Sequence, residues 1–302
     1  MVFSGQGSQF IGMGQDLYNA HPIAKELFDM ADQHMGISLS DICFNGPEDT
    51  LNQTQYTQVA IFITSACIFN IIKEQCNINA MAGHSLGEIT AYYAAGVLDA
   101  ESALNIVIKR GELMGQAAQQ TDGSMAAIIG MDADTISSTL NTIEGVSIAN
   151  YNSPVQCVIS GTKQAVSTAC QALQENGAKR VVPLPVSGAF HSPLMASAVE
   201  PFKDYLTQFT FNNATHPIIL NRTAQPETNG TALQQNLAEQ IESPVRWIEI
   251  IELLAQQNPN FIEVGPGKVL SGLIRKINRE LSVQPTSTLE TIQNMAQDTV
   301  TQ

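Results

Sequence analysis

Charge is scarce in this 302-residue chain and mostly of one sign: 14% of residues are charged, with 14 Lys and Arg against 28 Asp and Glu. An average domain carries about 25%. The formal net charge of −14 excludes a general nucleic-acid binder, which needs clustered basic residues to neutralise phosphates. Cysteine is sparse as well. Cys43, Cys67, Cys76, Cys157 and Cys170 are odd in number, form no CxxC pair and share no metal-ligand spacing with histidine. That argues against a disulfide framework or a zinc site and for reduced thiols. No basic region precedes an apolar stretch near the N-terminus, so no secretory signal is read there. The longest apolar run, Val59–Ile72, is interrupted by Thr64, Ser65 and Asn70, and is expected to be too short and too polar to span a bilayer. The expectation is a soluble, cytoplasmic protein with neither nucleic acid nor membrane as partner.

What is present builds a core. Hydrophobic residues make up 44% of the chain, and the length fits one large domain, or two with one inserted in the other. Met1–Ser4 reads as a short strand running into Gly5-Gln6-Gly7, and Gln58–Gln75 as a mostly buried helix. Asn79–Gly83 is a small-residue strand, Ser85 opens a helix through Ala95, and Ala100–Gln119 is a further helix. After Gly123 the pattern changes. Strands at Met125–Ile129, Ser147–Ala149, Val155–Ser160 and Arg180–Val186 alternate with helices at Asp132–Thr142 and Lys163–Asn176. This order, strand, helix, two strands, helix, strand, is that of a split βαβ, ferredoxin-like unit. Helices are then expected at Ser192–Phe209, Leu233–Glu242 and Pro244–Gln257, with a strand near Pro217–Asn221. Phe261–Val264 is a strand followed by Gly265-Pro266-Gly267 and a helix through Glu280, and a polar tail is expected from Pro285. The fold class read from this is α/β: a hydrolase-like domain with a parallel sheet, residues 1–122 and 188–302, carrying an inserted ferredoxin-like α+β subdomain at residues 123–187.

Gly83-His84-Ser85-Leu86-Gly87 fits the G-x-S-x-G nucleophile elbow and has the strand before and helix after that the motif requires. A glycine-flanked turn with Ser85 as a helix cap has the same local sequence. In an elbow, the serine hydroxyl stands at a helix N-terminus, where the N–H of Leu86 can help hold an oxyanion. A base is then needed. His21, His34 and His216 sit at element edges, where solvated or capping roles suit them, and His84 is part of the elbow. His191 lies where a strand passes into a helix, in Gly188-Ala189-Phe190-His191-Ser192-Pro193, and is the leading candidate. Gly5–Gln9 follows the first strand, so an N–H there could complete an oxyanion hole. Arg110 stands in a charge-poor helix. Aimed into the site, it would clamp a substrate carboxylate in two-pronged fashion, as lysine could not; a salt-bridged surface arginine is the other possibility. No Asp or Glu could be chosen by spacing as a third member. Lys268, Arg275, Lys276 and Arg279 form a basic cluster in which Arg275 and Arg279 are expected to share a helix face; a solvated helix whose basic end compensates the helix dipole is the first reading, and a docking patch for an anionic partner the second.

Taken in order, these motifs, with Leu51–Thr54, Lys109–Met114, Asn152–Pro154, Ser243–Trp247 and Glu263–Gly267, closely resemble the malonyl-CoA:acyl-carrier-protein transacylase family. The likeness is greatest to the stand-alone, trans-acting acyltransferases of modular polyketide synthases. The resemblance implies Ser85 as acyl nucleophile, His191 as base, and the N–H groups of Gln6 and Leu86 as oxyanion donors. It implies Arg110 as the carboxylate-binding residue, Gln58 as a pocket residue, Gln240 as the carbonyl that orients the histidine, and Phe190 as the side chain narrowing the pocket against an α-methyl branch. It further implies malonyl-CoA and an acyl carrier protein as partners, no cofactor, a monomer, and ping-pong acyl transfer in polyketide or fatty-acid synthesis. An acyl hydrolase that clears stalled chains from carrier proteins is the rival on the same scaffold. A carrier-binding module without activity is a third possibility, disfavoured by the intact Ser85 and His191.

Overall fold

In the computed structural model, which describes residues 1–186, 188–257 and 260–300, the strands are β1 (Val2–Phe3), β2 (Met81–Gly83), β3 (Gly123–Ile129), β4 (Val146–Ser153), β5 (Gln156–Thr162), β6 (Arg180–Pro183), β7 (Ile218–Ile219), β8 (Pro226–Glu227), β9 (Asn260–Val264) and β10 (Ser282–Pro285). They form two sheets. The first has the order β10-β9-β1-β2-β7-β8, parallel throughout except for β8. Its strands alternate by the two-residue period of the extended chain. Phe3, Met81 and Ile218 enter one core, with the helix Thr54–Ile72, while Val2, Ala82 and Ile219 enter another beneath the helices Trp247–Gln257 and Val269–Ile277. The second sheet is antiparallel, in the order β4-β5-β3-β6, with the helices Ala133–Leu140 and Lys163–Glu175 packed on it. This is the ferredoxin-like βαββαβ arrangement. Both sheets expected from the sequence are therefore present. The expected subdomain limit at Ser187 lies outside the described residues, as do the last two residues of the chain.

Several expectations need correcting. The apolar run is part of a helical segment, Thr54–Gln75, that is long and apolar enough to cross a membrane. Its place is inside the protein: 15 of the 19 residues of Thr54–Ile72 are buried. The expected helix Pro244–Gln257 begins at Trp247, because Val245 is used in a bridge to the second sheet, where its carbonyl accepts from Tyr151 N–H at 2.9 Å and its N–H donates to Ala149 at 2.8 Å. The helix expected from Ser192 starts as a 3₁₀ turn at Pro193–Met195 and runs as α-helix over Ala196–Leu206. The expected polar tail after Pro285 contains the helix Leu289–Val300, held by the burial of Ile292 and Met295. The helix Val269–Ile277 stops at an extended Asn278, so Arg279 lies beyond it and shares no helix face with Arg275.

Candidate active site

The carboxyl ends of parallel strands gather loops on one edge of a sheet, where open α/β folds place their sites. Here β1 delivers Gly5-Gln6 and β2 delivers His84-Ser85 to that edge. The turn after β2 is tight because its glycines let backbone meet backbone. A side chain at Gly83 would put Cβ 1.9 Å from the Gly87 carbonyl carbon and oxygen, and one at Gly87 would lie 2.2 Å from the Phe3 oxygen. Ser85 sits at φ 53°, in the left-handed region, which costs a non-glycine residue roughly 1–2 kcal/mol. The helix Gly87–Ala94 starts directly after it.

Ser85 Oγ lies 2.7 Å from His191 Nε2. His191 also has a left-handed backbone, φ 57°. Its Nδ1 is 2.9 Å from the Ser243 carbonyl and 3.1 Å from that of Gln240. Carbonyl oxygens only accept, so Nδ1 carries the proton and Nε2 is left to accept from the serine hydroxyl. No carboxylate is among these partners. Burial, and then the positive charge of Arg110, hold His191 down at about 3; the ring is neutral at physiological pH and ready to take a proton.

Arg110, only 1% exposed, projects from the helix Ala100–Gln120. Its Nη1 donates to Gln58 Oε1 at 2.8 Å, and Nη2 donates to Gln240 Oε1 at 2.9 Å and to Ser85 Oγ at 3.1 Å. Nε has no partner. Burial lowers the Arg110 pKa to about 10, with the charge of Glu88 acting in the opposite direction, so it remains a cation. Its hydrogen-bond acceptors are neutral, which leaves the guanidinium free to receive an incoming carboxylate. The neighbouring Lys109 instead pairs with Glu112 at the surface.

Above Ser85 is a cleft of ≈ 380 Å³, bounded by Gln6 and His84 from the loops that follow strands of the first sheet, by Phe190 and His191, and by Met125 and Asn152 from strands of the second sheet. Among the described residues, the N–H groups of Gln6 and Leu86 donate to no protein acceptor. Gln6 is held through its side chain, Nε2 to Thr54 Oγ1 at 3.3 Å. Phe190 is 5% exposed on the cleft wall. Gln58 is not on that wall; it is buried behind Arg110. Among the described residues no group of three His, Cys, Asp or Glu could hold a metal ion.

The structure also brings here residues that the sequence does not mark as parts of a site, and gives a partner to His84 of the elbow. Asn221 Oδ1 accepts the Ser85 N–H at 2.7 Å, and its Nδ2 donates to the Gly83 carbonyl at 2.6 Å. Glu88 is fully buried and accepts from the Asn221 N–H at 2.6 Å, from Asn236 Nδ2 at 2.9 Å and from the Tyr92 hydroxyl at 3.2 Å. His84 packs edge-on against Trp247 and reaches Asn152 Oδ1 at 2.8 Å. The available signal was chemical type: Glu88 is the one acidic residue in an otherwise neutral helix opening, and Asn221 closes an apolar strand.

Residues 1–301 match the acyl transferase domain family. The chain is 45% identical over 298 residues to a malonyl CoA-acyl carrier protein transacylase of Bacillus subtilis (strain 168), covering 97% of this chain and 94% of that protein. It is 40% identical to the protein of the same name from Staphylococcus aureus (strain MRSA252), over 97% and 96% of the two chains. Among solved structures it is similar to a malonyl-transacylase in complex with its type II polyketide synthase acyl-carrier protein, with a TM-score of 0.95, 36% identity and coverage of 99% and 98%. An acyl carrier protein S-malonyltransferase from Vibrio cholerae O1 biovar eltor str. N16961 superposes with a TM-score of 0.93 at 37% identity, over 97% and 98% of the chains. Identity at this level along nearly the whole length places the chain in the acyl transferase family, among the malonyl-CoA:acyl-carrier-protein transacylases.

Proposed function

We propose that this chain transfers a malonyl group from malonyl-CoA to the phosphopantetheine thiol of an acyl carrier protein, in fatty-acid or polyketide synthesis, by way of an ester on Ser85. The observation that carries the reading is the Ser85 hydroxyl held between His191 Nε2 at 2.7 Å and the buried guanidinium of Arg110 at 3.1 Å. His191 takes the serine proton as Oγ attacks the thioester carbonyl, and the N–H groups of Gln6 and Leu86 receive the oxyanion. The tetrahedral adduct collapses, the C–S bond breaks, and His191 returns the proton to the departing coenzyme A sulfur. The malonyl carboxylate replaces neutral partners of Arg110 and fixes the ester. The carrier thiol then gives its proton to His191, attacks the ester carbonyl, and Ser85 leaves as the hydroxyl on recovering that proton. Phe190 narrows the space beside the acyl group, and Gln58 and Gln240 hold the guanidinium in place until the carboxylate arrives.

Every step uses groups this chain carries, so no cofactor enters the reading. It takes residues 123–187 as a unit inserted between 1–122 and 188–302, and the protein as a cytoplasmic monomer. Five free cysteines fit a reducing compartment, and burial pushes the Cys43 and Cys157 thiols up to about 12, away from reactivity. The buried cation favours transfer over hydrolysis of neutral acyl chains, which would offer Arg110 no carboxylate. Intact mass after incubation with malonyl-CoA tests this. A malonyl adduct that carrier protein discharges is expected. Free malonate without an adduct would establish the hydrolase, and an unmodified chain would overturn both.

A further inference from the structure

The elbow that presents Ser85 is held by a side chain far away in sequence. Asn221, fully buried just past β7, takes the Ser85 N–H on Oδ1 and returns a hydrogen bond from Nδ2 to the Gly83 carbonyl. One amide thus ties together the residue before the turn's histidine and the residue after it. Ser85 needs such a tie, because its left-handed backbone is the conformation an L-residue tends to leave. The N–H that Asn221 occupies is also not one of the two proposed to hold the oxyanion, so the restraint does not compete with catalysis.

Asn221 is in turn fixed by Glu88. Its N–H donates to Glu88 Oε2, and the other carboxylate oxygen is met by Asn236 Nδ2 and Tyr92 OH. Asn236 lies in the helix Gly230–Glu239, which ends at Gln240, and Gln240 contributes a carbonyl to His191 and its Nε2 to the Ser85 carbonyl at 3.1 Å. The carboxylate therefore sits at the junction of the elements that carry nucleophile and base. Neither Glu88 nor Asn221 lines the cleft.

We infer that Glu88 and Asn221 are positioning residues for the reaction: the Glu88 carboxylate aligns Asn221, and Asn221 holds the Ser85 elbow in its reactive geometry. The inference rests on the reading of Ser85 as the nucleophile. It requires Glu88 Oε2 to be an acceptor, since the Asn221 N–H that faces it can only donate; at the other oxygen Asn236 Nδ2 donates, while the Tyr92 hydroxyl, which also reaches the Leu233 carbonyl at 3.2 Å, can donate or accept. Of the groups facing it, Tyr92 on its own helix and Arg110 on Ala100–Gln120 are titratable, and Asn221, Asn236 and Gln240 are neutral amides. Burial raises the Glu88 pKa to about 7 against the pull of those hydrogen bonds and of Arg110. Protonation removes the negative charge on which the Asn221 N–H is held, and a proton on Oε2 would oppose that N–H directly, so alignment weakens as pH falls through that range. His191, held at about 3, does not titrate there.

The test is single-turnover acylation of the full chain by malonyl-CoA, followed by quenched intact mass. Asn221→Ala is expected to slow acylation by ~10²-fold, the order of effect of misplacing a reacting group, with saturation by malonyl-CoA unchanged. Glu88→Gln, which keeps the shape and removes the charge, is expected to slow it about tenfold, the difference between a charged and a neutral acceptor. It is also expected to abolish a one-proton rise in the parent's rate near pH 7. Rates within about twofold of the parent in both folded variants, or a parent profile flat from pH ~6 to ~8, would overturn the inference. If neither variant folds, the parent's pH profile decides. If the parent is not malonylated at all, the proposed function fails separately. The positioning role is then read from the rate at which a fluorophosphonate probe labels Ser85, which is expected to fall in the same order across the variants and would refute the role if it did not.

Discussion

Replacing Arg110 with lysine separates charge from geometry. The guanidinium serves three acceptors from two nitrogens: Gln58 Oε1 at 2.8 Å, Gln240 Oε1 at 2.9 Å and Ser85 Oγ at 3.1 Å. A lysine ammonium presents one nitrogen on a shorter reach, so it can satisfy part of this set and only one arm of a carboxylate fork. A hydrogen bond to a charged group contributes about 1.5–3 kcal/mol, and losing one arm at about 2 kcal/mol corresponds to roughly 30-fold in rate. Arg110→Lys is therefore expected to lower kcat/KM for malonyl-CoA about 30-fold, and Arg110→Ala, which loses both arms, ~10³-fold. Acetyl-CoA, which has no free carboxylate, should change by less than about threefold with lysine. The assay is quenched single-turnover acylation with both thioesters. Malonyl loading by the lysine variant at the parent's rate would refute the carboxylate role. A parallel fall for both thioesters would also refute it, and would place the effect of Arg110 on the serine oxygen.

Further outcomes follow from other parts of the structure. His191 binds its proton in the unfolded chain near its ordinary value of 6.5 but in the folded chain only near 3, so folding stability present above pH ~6.5 is lost as pH falls toward 3. At pH 4 the difference is on the order of 3 kcal/mol, and His191→Ala should flatten that limb in thermal melts taken against pH. Gly83→Ala would force Cβ into the backbone of Gly87 and Glu88 and is expected to cost at least about 3 kcal/mol, whereas Gly115→Ala, with nothing within 4 Å in its helix, should stabilise by about 0.5–1 kcal/mol. Calorimetry on the two variants checks the pair. Phe190→Ala should raise loading of methylmalonyl relative to malonyl by about tenfold, as measured by mass after competition between the two thioesters.

What could be read from the sequence was what is local or periodic. Ser85 was visible because an elbow confines its glycines to five residues, and the second sheet because its strands and helices follow one another along the chain. Arg110 stood out by type, an arginine where charge is scarce. The orientation of His191 left no such mark, because it is set by the carbonyls of Gln240 and Ser243, a group every residue carries. Asn221 and Glu88 are 133 positions apart, and nothing in either neighbourhood points to the other. The helix Leu289–Val300 was hidden by its polar composition, since a few inward residues such as Ile292 and Met295 are enough to seat it. The helix Thr54–Ile72 was legible as a buried one because its apolar surface is almost uniform in place of a stripe; what its sequence understated was how long and apolar the segment is.

The seam between the two sheets has a consequence for how acyl groups are told apart. β4 is stitched to Val245 by two backbone hydrogen bonds, and Asn152 at its end is tied to His84, beside Ser85. Widening the cleft by swinging the sheets apart would break all of these together in a largely buried setting. Whatever widens the aperture over Ser85 must therefore cost these bonds, so the size of acyl group admitted is coupled to the seam between the sheets as well as to the side chains on the cleft wall.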